Sequence, residues 1–357
     1  MPKIKSLTYF LSPFILLMSH QIAWANSHHA LDGDFIVFLN AKKTYRYERP
    51  ETSTLTRTTQ FQGIDLFYSQ DTGTWLMLAE YFIKTGSSMM ERLQFGWRPN
   101  ENQTIWIGRA HTPLGFWNTE YHHGSHLESS ISRPTPTDRV LPRHISGFIF
   151  EDMRQRGNYQ IHSNLSIGAS PVLKGKGLMD LDLLHIEKGH DPQAILNVRM
   201  DFSEIESSYF GAFIGISHIN SNVAGLNKNI QQQFGFELGW EKDHLKVISE
   251  LFYFSNELEL QEELTERTVK ENFTSGFVQL EMQHTENIGS FYRIEASDNH
   301  RDDLWLTYTS KFVTERGLFG FKYDFKRTQS VNIEFSKLRQ DGERFAQVIV
   351  QWSGILE

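Results

Sequence analysis

The sequence contains no cysteine. That excludes a disulfide framework and thiolate chemistry, so packing and backbone hydrogen bonds must hold the fold. Positive charge is also short, with 35 Lys and Arg against 43 Asp and Glu for a net charge of -8. A chain with this balance is a poor partner for nucleic acid or an anionic membrane surface. Past residue 25, no stretch approaches the roughly 20 apolar residues of a membrane-crossing helix. Catalytic signatures are missing too. There is no G-x-S-x-G nucleophile elbow and no H-E-x-x-H zinc pair.

What is present begins at the N-terminus. Lys3 and Lys5 precede an apolar run from Leu7 to Met18, and Ala23-Trp24-Ala25 supplies small residues around a cleavage point. That run is too short to span a bilayer and reads as a secretory signal peptide over 1–25, leaving 26–357 as the mature domain. Removing two lysines and no acid takes the net charge from -8 to about -10. Aromatics are abundant, with 27 Phe, 12 Tyr and 8 Trp, yet the mean hydropathy is only -0.42. An exported, aromatic-rich chain of polar mean hydropathy suits a transmembrane β-barrel, in which lipid-facing and lumen-facing residues alternate and cancel.

The alternation is explicit. Trp75, Met77, Ala79, Tyr81 and Ile83 share a face opposite Glu80 and Lys84. Leu93, Phe95 and Trp97 oppose Arg92, Gln94 and Arg98, and Leu196, Val198 and Met200 oppose Asn197, Arg199 and Asp201. Phe319, Phe321, Tyr323 and Phe325 alternate with Gly320, Lys322 and Asp324, and Val331, Ile333 and Phe335 with Asn332, Glu334 and Ser336. The last such segment sets Ala346, Val348, Val350 and Trp352 against Gln347, Ile349 and Gln351. Period 2 means strands with one apolar and one polar face. Aromatics near strand ends, at Trp75, Trp97, Tyr323, Phe325 and Trp352, fit interfacial girdles.

A soluble β-sandwich would show the same alternation; the connections argue against it. Treating 181–189 and 304–312 as loop excursions leaves about sixteen strands. Short turns then fall near 70–73, 99–102, 154–158, 203–206, 241–244, 284–287 and 326–329, all on one side. Long connections near 42–58, 110–141, 170–192, 218–229, 256–271 and 297–315 fall on the other, with short ones near 85–88 and 339–343. One-sided long loops and an even strand count are the pattern of an all-β, antiparallel outer-membrane barrel. Sixteen strands enclose an aqueous space rather than a packed core. The acidic stretch 256–272 reads as an outer loop with a helical turn.

The segment "GRAHTPLGFWNTEYHHGSHLESSISRP", followed by "LPRHISG", resembles the signature of a group of uncharacterised Gram-negative porin-like outer-membrane proteins. "GLFGFKYDFKRTQSVNIEFSKLRQDG" is similar to the penultimate hairpin of that group. The resemblance implies a porin-superfamily barrel in the outer membrane, with a third outer loop that folds into the lumen. It assigns no substrate. Two features depart from the pattern: the chain ends "QWSGILE" rather than on Phe, and it has no ladder of lumenal lysines or arginines as in phosphate-selective porins.

Residues 108–144 hold five of the 15 histidines and four of the ten prolines. His122, His123 and His126 with Glu120 and Glu128 are donor types for zinc or copper. Adjacent histidines on an extended segment point apart, however, so no metal or cofactor is expected there. Ser125, His126 and Glu128 supply the residue types of a triad, but sequence neighbours seldom supply its geometry, so no enzyme is expected. By its place in the topology the stretch reads instead as a constriction loop. Arg109, His111, Arg133 and Arg139 would act with Glu120, His122, His123, His126, Glu128 and Asp138, opposed charges orienting solutes in a narrowed lumen. Arg92, Arg98, Glu250, Glu281, Arg293 and Glu295, with Glu80, Lys322, Asp324 and Glu334, are the lumenal candidates on the strands. The function expected is passive diffusion of small polar solutes through an outer-membrane porin; the alternative is a non-conducting scaffold or receptor barrel with a loop-filled lumen. The partners expected are outer-membrane lipid and small polar solutes, with a homo-oligomer left open.

Overall fold

The structure is a computed structural model. It describes residues 33–49, 54–119, 129–175, 177–184, 188–202, 208–262, 265–298, 303–309 and 311–356. The predicted signal peptide lies outside these residues. Residues 35–357 form one compact unit; the other unit, 1–34, falls almost wholly outside them.

Sixteen long strands close into an antiparallel barrel. In chain order they are β1 (Gly33–Arg49), β2 (Thr54–Asp71), β3 (Trp75–Lys84), β4 (Ser87–Asn100), β5 (Gln103–His111), β6 (His144–Arg156) and β7 (Tyr159–Ala169). A small hairpin, β8 (Val172–Lys174) and β9 (Gly177–Met179), interrupts the series. There follow β10 (Pro192–Phe202), β11 (Tyr209–Ser221), β12 (Leu226–Lys242), β13 (Leu245–Glu262) and β14 (Thr265–Thr285), then β15 (Ile288–Asp298), β16 (Val313–Lys326), β17 (Gln329–Gln340) and β18 (Glu343–Leu356). Each long strand pairs with its sequence neighbour, and β1 pairs with β18 from Val37 opposite Leu356 to Tyr47 opposite Ala346. Closure leaves no strand edge, as a hydrocarbon environment demands.

The inside–outside assignment follows the alternation. Trp75, Phe95, Trp97, Phe319, Phe321, Tyr323 and Ile294 are exposed, while Glu80, Arg92, Gln94, Asn332 and Glu334 are buried. Trp75 and Trp97 are cross-strand partners next to a short turn, where an interfacial girdle belongs. In a barrel meant for lipid, this exposed apolar band is the outer surface.

The connections show where the sequence reading needs correction. Short turns stand where expected, except that the one near 203–206 lies outside the described residues, and the described parts of 181–189 and 304–312 are not barrel strands. Three connections read as long are tight instead. β1 runs to Arg49 and β2 resumes at Thr54, so the expected loop over 42–58 is mostly strand; β11 and β12 are separated only by 222–225. The acidic stretch 256–272 is a hairpin, with β13 continuing to Glu262 and β14 starting at Thr265. Leu258 and Leu260 there are buried while Glu259 is exposed, so period 2 outweighs the partial helical spacing. The long connections that remain are 112–143, 170–191 and 299–312. The first carries a short helix α1 (Phe116–Thr119) and a π-type turn (Pro136–Val140), the second the β8–β9 hairpin, and the third a short helix α2 (Leu304–Tyr308) capped by Asp303.

Ile294 tests the outer face. It is 72% exposed, near the middle of β15. An Ile294→Arg substitution is expected to destabilise the barrel by about 2–4 kcal/mol if that face meets the bilayer midplane. Reversible unfolding from lipid vesicles measures it; a cost near zero would place Ile294 in water.

Candidate functional site

The inward faces of the strands divide the lumen into two unlike sides. On β10 to β14 they carry a large apolar set: Ile195, Tyr209, Phe213, Ile219, Ile248, Phe252, Phe254, Phe273 and Phe277 are all buried. Interspersed with them are buried polar residues such as Asn229, Gln231, Gln233 and Gln279. The loop between β5 and β6 packs on them with Leu114, Phe116, Trp117, Val140 and Leu141, joined by Leu173 of β8 and by Trp305 and Phe312 of the 299–312 connection. Phe116 stacks on Tyr209, and Phe254 on Phe273 at 4.6 Å between ring centroids. Trp117 is completely buried. Sequence reading expected a wet lumen lined by polar residues, and on this side the structure differs. Aromatics on β11 and β13 serve both faces of the wall, as Phe210 and Tyr253 outside and Phe213 and Phe252 inside, and a period-2 pattern cannot say which aromatic face meets lipid.

Polar anchors fix the loop in register on this seat. Glu250 accepts hydrogen bonds from the amides of Phe116 and of Trp117. Gly115 permits that contact: its φ is +78°, and a Cβ there would lie 2.9 Å from the Glu250 carboxylate. Glu334 on β17 accepts from the Ile131 and Ser132 amides at 2.9 and 3.0 Å and from the Ser132 hydroxyl. Glu281 accepts from Ser129 at 2.7 Å, and Glu295 accepts from the amide and hydroxyl of Thr135.

Arg293 ties these anchors together. Its guanidinium donates to Glu295 at 2.9 Å, to the Ser130 hydroxyl at 2.9 Å, to Gln279 at 3.0 Å and to the Ser132 carbonyl, and it lies over the Trp117 ring. A planar fork of five donors can serve four acceptors while stacking on an indole, which a lysine cannot. Arg316 adds a second contact to Glu295 and one to the Arg133 carbonyl. A fully buried charge is tolerated because each guanidinium nitrogen meets an acceptor. The seated loop is therefore a built part of the barrel interior.

The remaining sequence candidates have other surroundings. Arg92 pairs with Glu80 at 2.5 Å on the opposite wall. Arg98 pairs with Asp71 at the short-turn end, away from the loop, and Lys322 with Asp324 at 3.5 Å. Arg133 donates to the Trp117 carbonyl, and Arg139 pairs with its own neighbour Asp138. Arg109 and His111 stand at the root of the loop, beside Glu91, His144 and Asp180. Glu120, His122, His123, His126 and Glu128 lie outside the described residues.

The side lined by β1 to β7 is different. Inward residues such as Lys42, Thr44, Arg46, Ser69 and Asn164 are only half-buried. A cavity of about 530 Å³ opens toward the short-turn end among Arg98, Thr104, Glu151, His162, Asn164 and Asn197. Its lining is polar and mixed in charge.

With a closed sixteen-stranded wall and a long connection seated against its inside, comparison with solved structures has a clear outcome. The barrel has the porin fold. The outer membrane channel DcaP of Acinetobacter baumannii superposes with a TM-score of 0.60 at 10% identity, over 91% of this chain and 97% of that one. The anion-selective porin from Comamonas acidovorans gives 0.60 at 9% identity, over 91% and 99%. OmpF of Salmonella typhi, solved in complex with daunomycin, gives 0.60 at 12% identity, over 91% and 97%. No protein-family model and no curated protein matches the sequence. At such identities the likeness establishes architecture and leaves the lumenal chemistry to this chain's own residues.

Glu334 is the sharpest test of the seat. Glu334→Ala removes one acceptor from two amides and a hydroxyl, at an expected cost of about 1–3 kcal/mol for stranding buried donors. Hydrogen exchange should show lost protection at Ile131 and Ser132 with strand amides unchanged. Protection retained at both amides would show that the carboxylate does not hold the loop.

Proposed function

We propose that the protein is an outer-membrane channel for passive diffusion of small polar solutes, its opening displaced toward the β1–β7 side of the lumen. One observation carries the reading. The described part of the loop occupies only the wall from β10 to β17, while the opposite wall keeps half-buried polar side chains around a polar cavity. A seat made of buried aromatics and a four-fold satisfied arginine narrows the lumen without needing to move. Nothing in this arrangement calls for catalysis. The proteins it resembles in fold are described as a channel and porins, which is support by likeness and no more.

Several of the charges that line the lumen are matched locally, while Glu250, Glu281 and Glu334 are held by neutral donors of the loop. Glu80 meets Arg92, Asp71 meets Arg98, Glu295 meets Arg293 and Arg316, and Asp324 meets Lys322. Paired charges present little net field to a passing ion, so weak discrimination between cations and anions is expected despite the chain's net charge of -8. The competing reading, a non-conducting barrel filled by its loops, is favoured by the extent of the apolar seat.

Planar-bilayer recording of purified protein separates the two. Discrete conductance steps with a small reversal potential in a salt gradient support the channel. Their absence in correctly folded protein would leave the scaffold. Arg293→Leu, which removes one of the two cations on Glu295 and one contact each of Ser130 and Ser132, is expected to raise the single-channel conductance and broaden its noise. An unchanged conductance would mean that the seated loop does not define the narrowest section.

A further inference from the structure

Where the loop leaves and rejoins the wall, a second cluster is assembled that the diffusion channel does not use. Glu91 sits at an irregularity of β4, where the pairing with β3 shifts between Glu80 and Tyr81. His111 ends β5 and His144 begins β6, and the two are paired in register. One donor atom from each of Glu91, His111 and His144 lies within 4.8 Å of the other two. The imidazole rings meet edge to face, 4.9 Å between centroids.

The outer contacts of these rings are those that ligand histidines make. His111 Nδ1 lies 3.3 Å from the Asn118 carbonyl oxygen. A carbonyl can only accept, so Nδ1 carries the proton and Nε2 carries the lone pair. His144 Nδ1 lies 2.7 Å from Asp180 Oδ2, and its Nε2 lies 2.8 Å from Glu91 Oε2. A carboxylate on the far nitrogen fixes the ring and raises its basicity, the usual outer partner of a metal-bound histidine. Arg109 steadies the surroundings by donating to the Glu91 carbonyl at 3.2 Å and standing 4.0 Å from Asp180. Gly108 makes the approach possible: at a φ of +132° its Cβ would fall 2.0 Å from the Leu93 carbonyl oxygen.

We propose that Glu91, His111 and His144 bind one divalent transition-metal ion, with Asp180 as the positioning residue on His144. Two imidazoles and one carboxylate with an open fourth position suit zinc, and also nickel or copper, and do not suit the oxygen-seeking calcium or magnesium. Nitrogen and oxygen ligands about 2.0–2.2 Å from a zinc stand roughly 3.3–3.5 Å apart. The His144–Glu91 pair, at 2.8 Å, must therefore open slightly while the wider separations, up to 4.8 Å, close. A metal-ligating imidazole is neutral, so any proton carried on His144 Nε2 leaves to solvent when an ion takes its place beside Glu91. The charged groups facing the site include Asp180, Arg109, the exposed Arg143 and, from β2, the buried carboxyl of Asp65. Affinity therefore rises with pH as the proton becomes easier to displace. Because His111 and His144 bracket 112–143, an occupied site clasps the two ends of the seated loop to each other and to β4.

The test uses full-length mature protein without a polyhistidine tag, stripped with EDTA in detergent, and zinc as the probe. Calorimetric titration in two buffers of different ionisation enthalpy is expected to give one ion per chain and release of up to about one proton. Cobalt should give the visible bands of a tetrahedral nitrogen–oxygen site. His111→Ala and His144→Ala should each abolish binding, and Asp180→Asn should weaken it about 10–100-fold. His122, His123 and His126 replaced together by Ala should leave it intact. Asp180→Asn keeps the test valid if a histidine variant fails to fold, judged by heat-modifiable gel migration. Binding absent from the parent protein, unchanged in the His144 and Asp180 variants, or lost in the triple variant would overturn the proposal.

Discussion

Everything else in this molecule depends on the pairing of its first and last strands. Inside a bilayer an unpaired backbone amide or carbonyl costs several kcal/mol, so a sheet is tolerated there only when it closes. The register from Val37–Leu356 to Tyr47–Ala346 achieves this closure. Once closed, the sheet has an outer face that lipid requires to be apolar and an inner face that nothing requires to be uniform. The inner face has been used to hold a loop on one side and to leave polar residues on the other.

That freedom explains why the fold was more legible than the interior. The outer face obeys one rule, and the alternation at 75–84, 92–98 and 319–325 reports it directly. Even strand count and one-sided long loops follow from the same chain geometry. Errors arose where an inward apolar residue imitates another pattern. Leu258 and Leu260 face the lumen and extend β13, yet with their acidic neighbours they suggested a helical loop. Phe213, Phe252 and Phe273 received no inward assignment from the alternation and are buried in the same cluster as Phe116 and Trp117.

Candidate residues were found by type and missed by partnership. Arg293, Glu295, Glu250 and Glu281 were legible because ionised side chains on an inward strand face need a reason to be there. Their roles were not legible, since Arg293 is separated by about 160 residues from the loop atoms it binds. Ser130, Ser132 and Thr135, which complete the seat, carry no signal in a single sequence. The histidine-rich stretch drew attention to His122, His123 and His126, whereas the structure brings His111 together with His144, Glu91 and Asp180. Those four stand on four different segments, and only the register of β4, β5 and β6 makes them neighbours.

The two halves of the lumen also differ in how they would respond to change. On the β10–β17 side, hydrophobic burial holds the loop down and the Arg293 network fixes its register. Aromatic burial is non-directional and would tolerate a slipped loop, but a guanidinium serving four acceptors would not. The division of labour is thus between adhesion and position. A loop held only by its aromatics would fill the barrel in many arrangements and define no reproducible opening. A loop held only by its polar contacts would exchange them for lumenal water. On the proposed reading, the combination would let a fixed, water-accessible passage coexist with a long inserted connection, beside the wall that the aromatics leave uncovered.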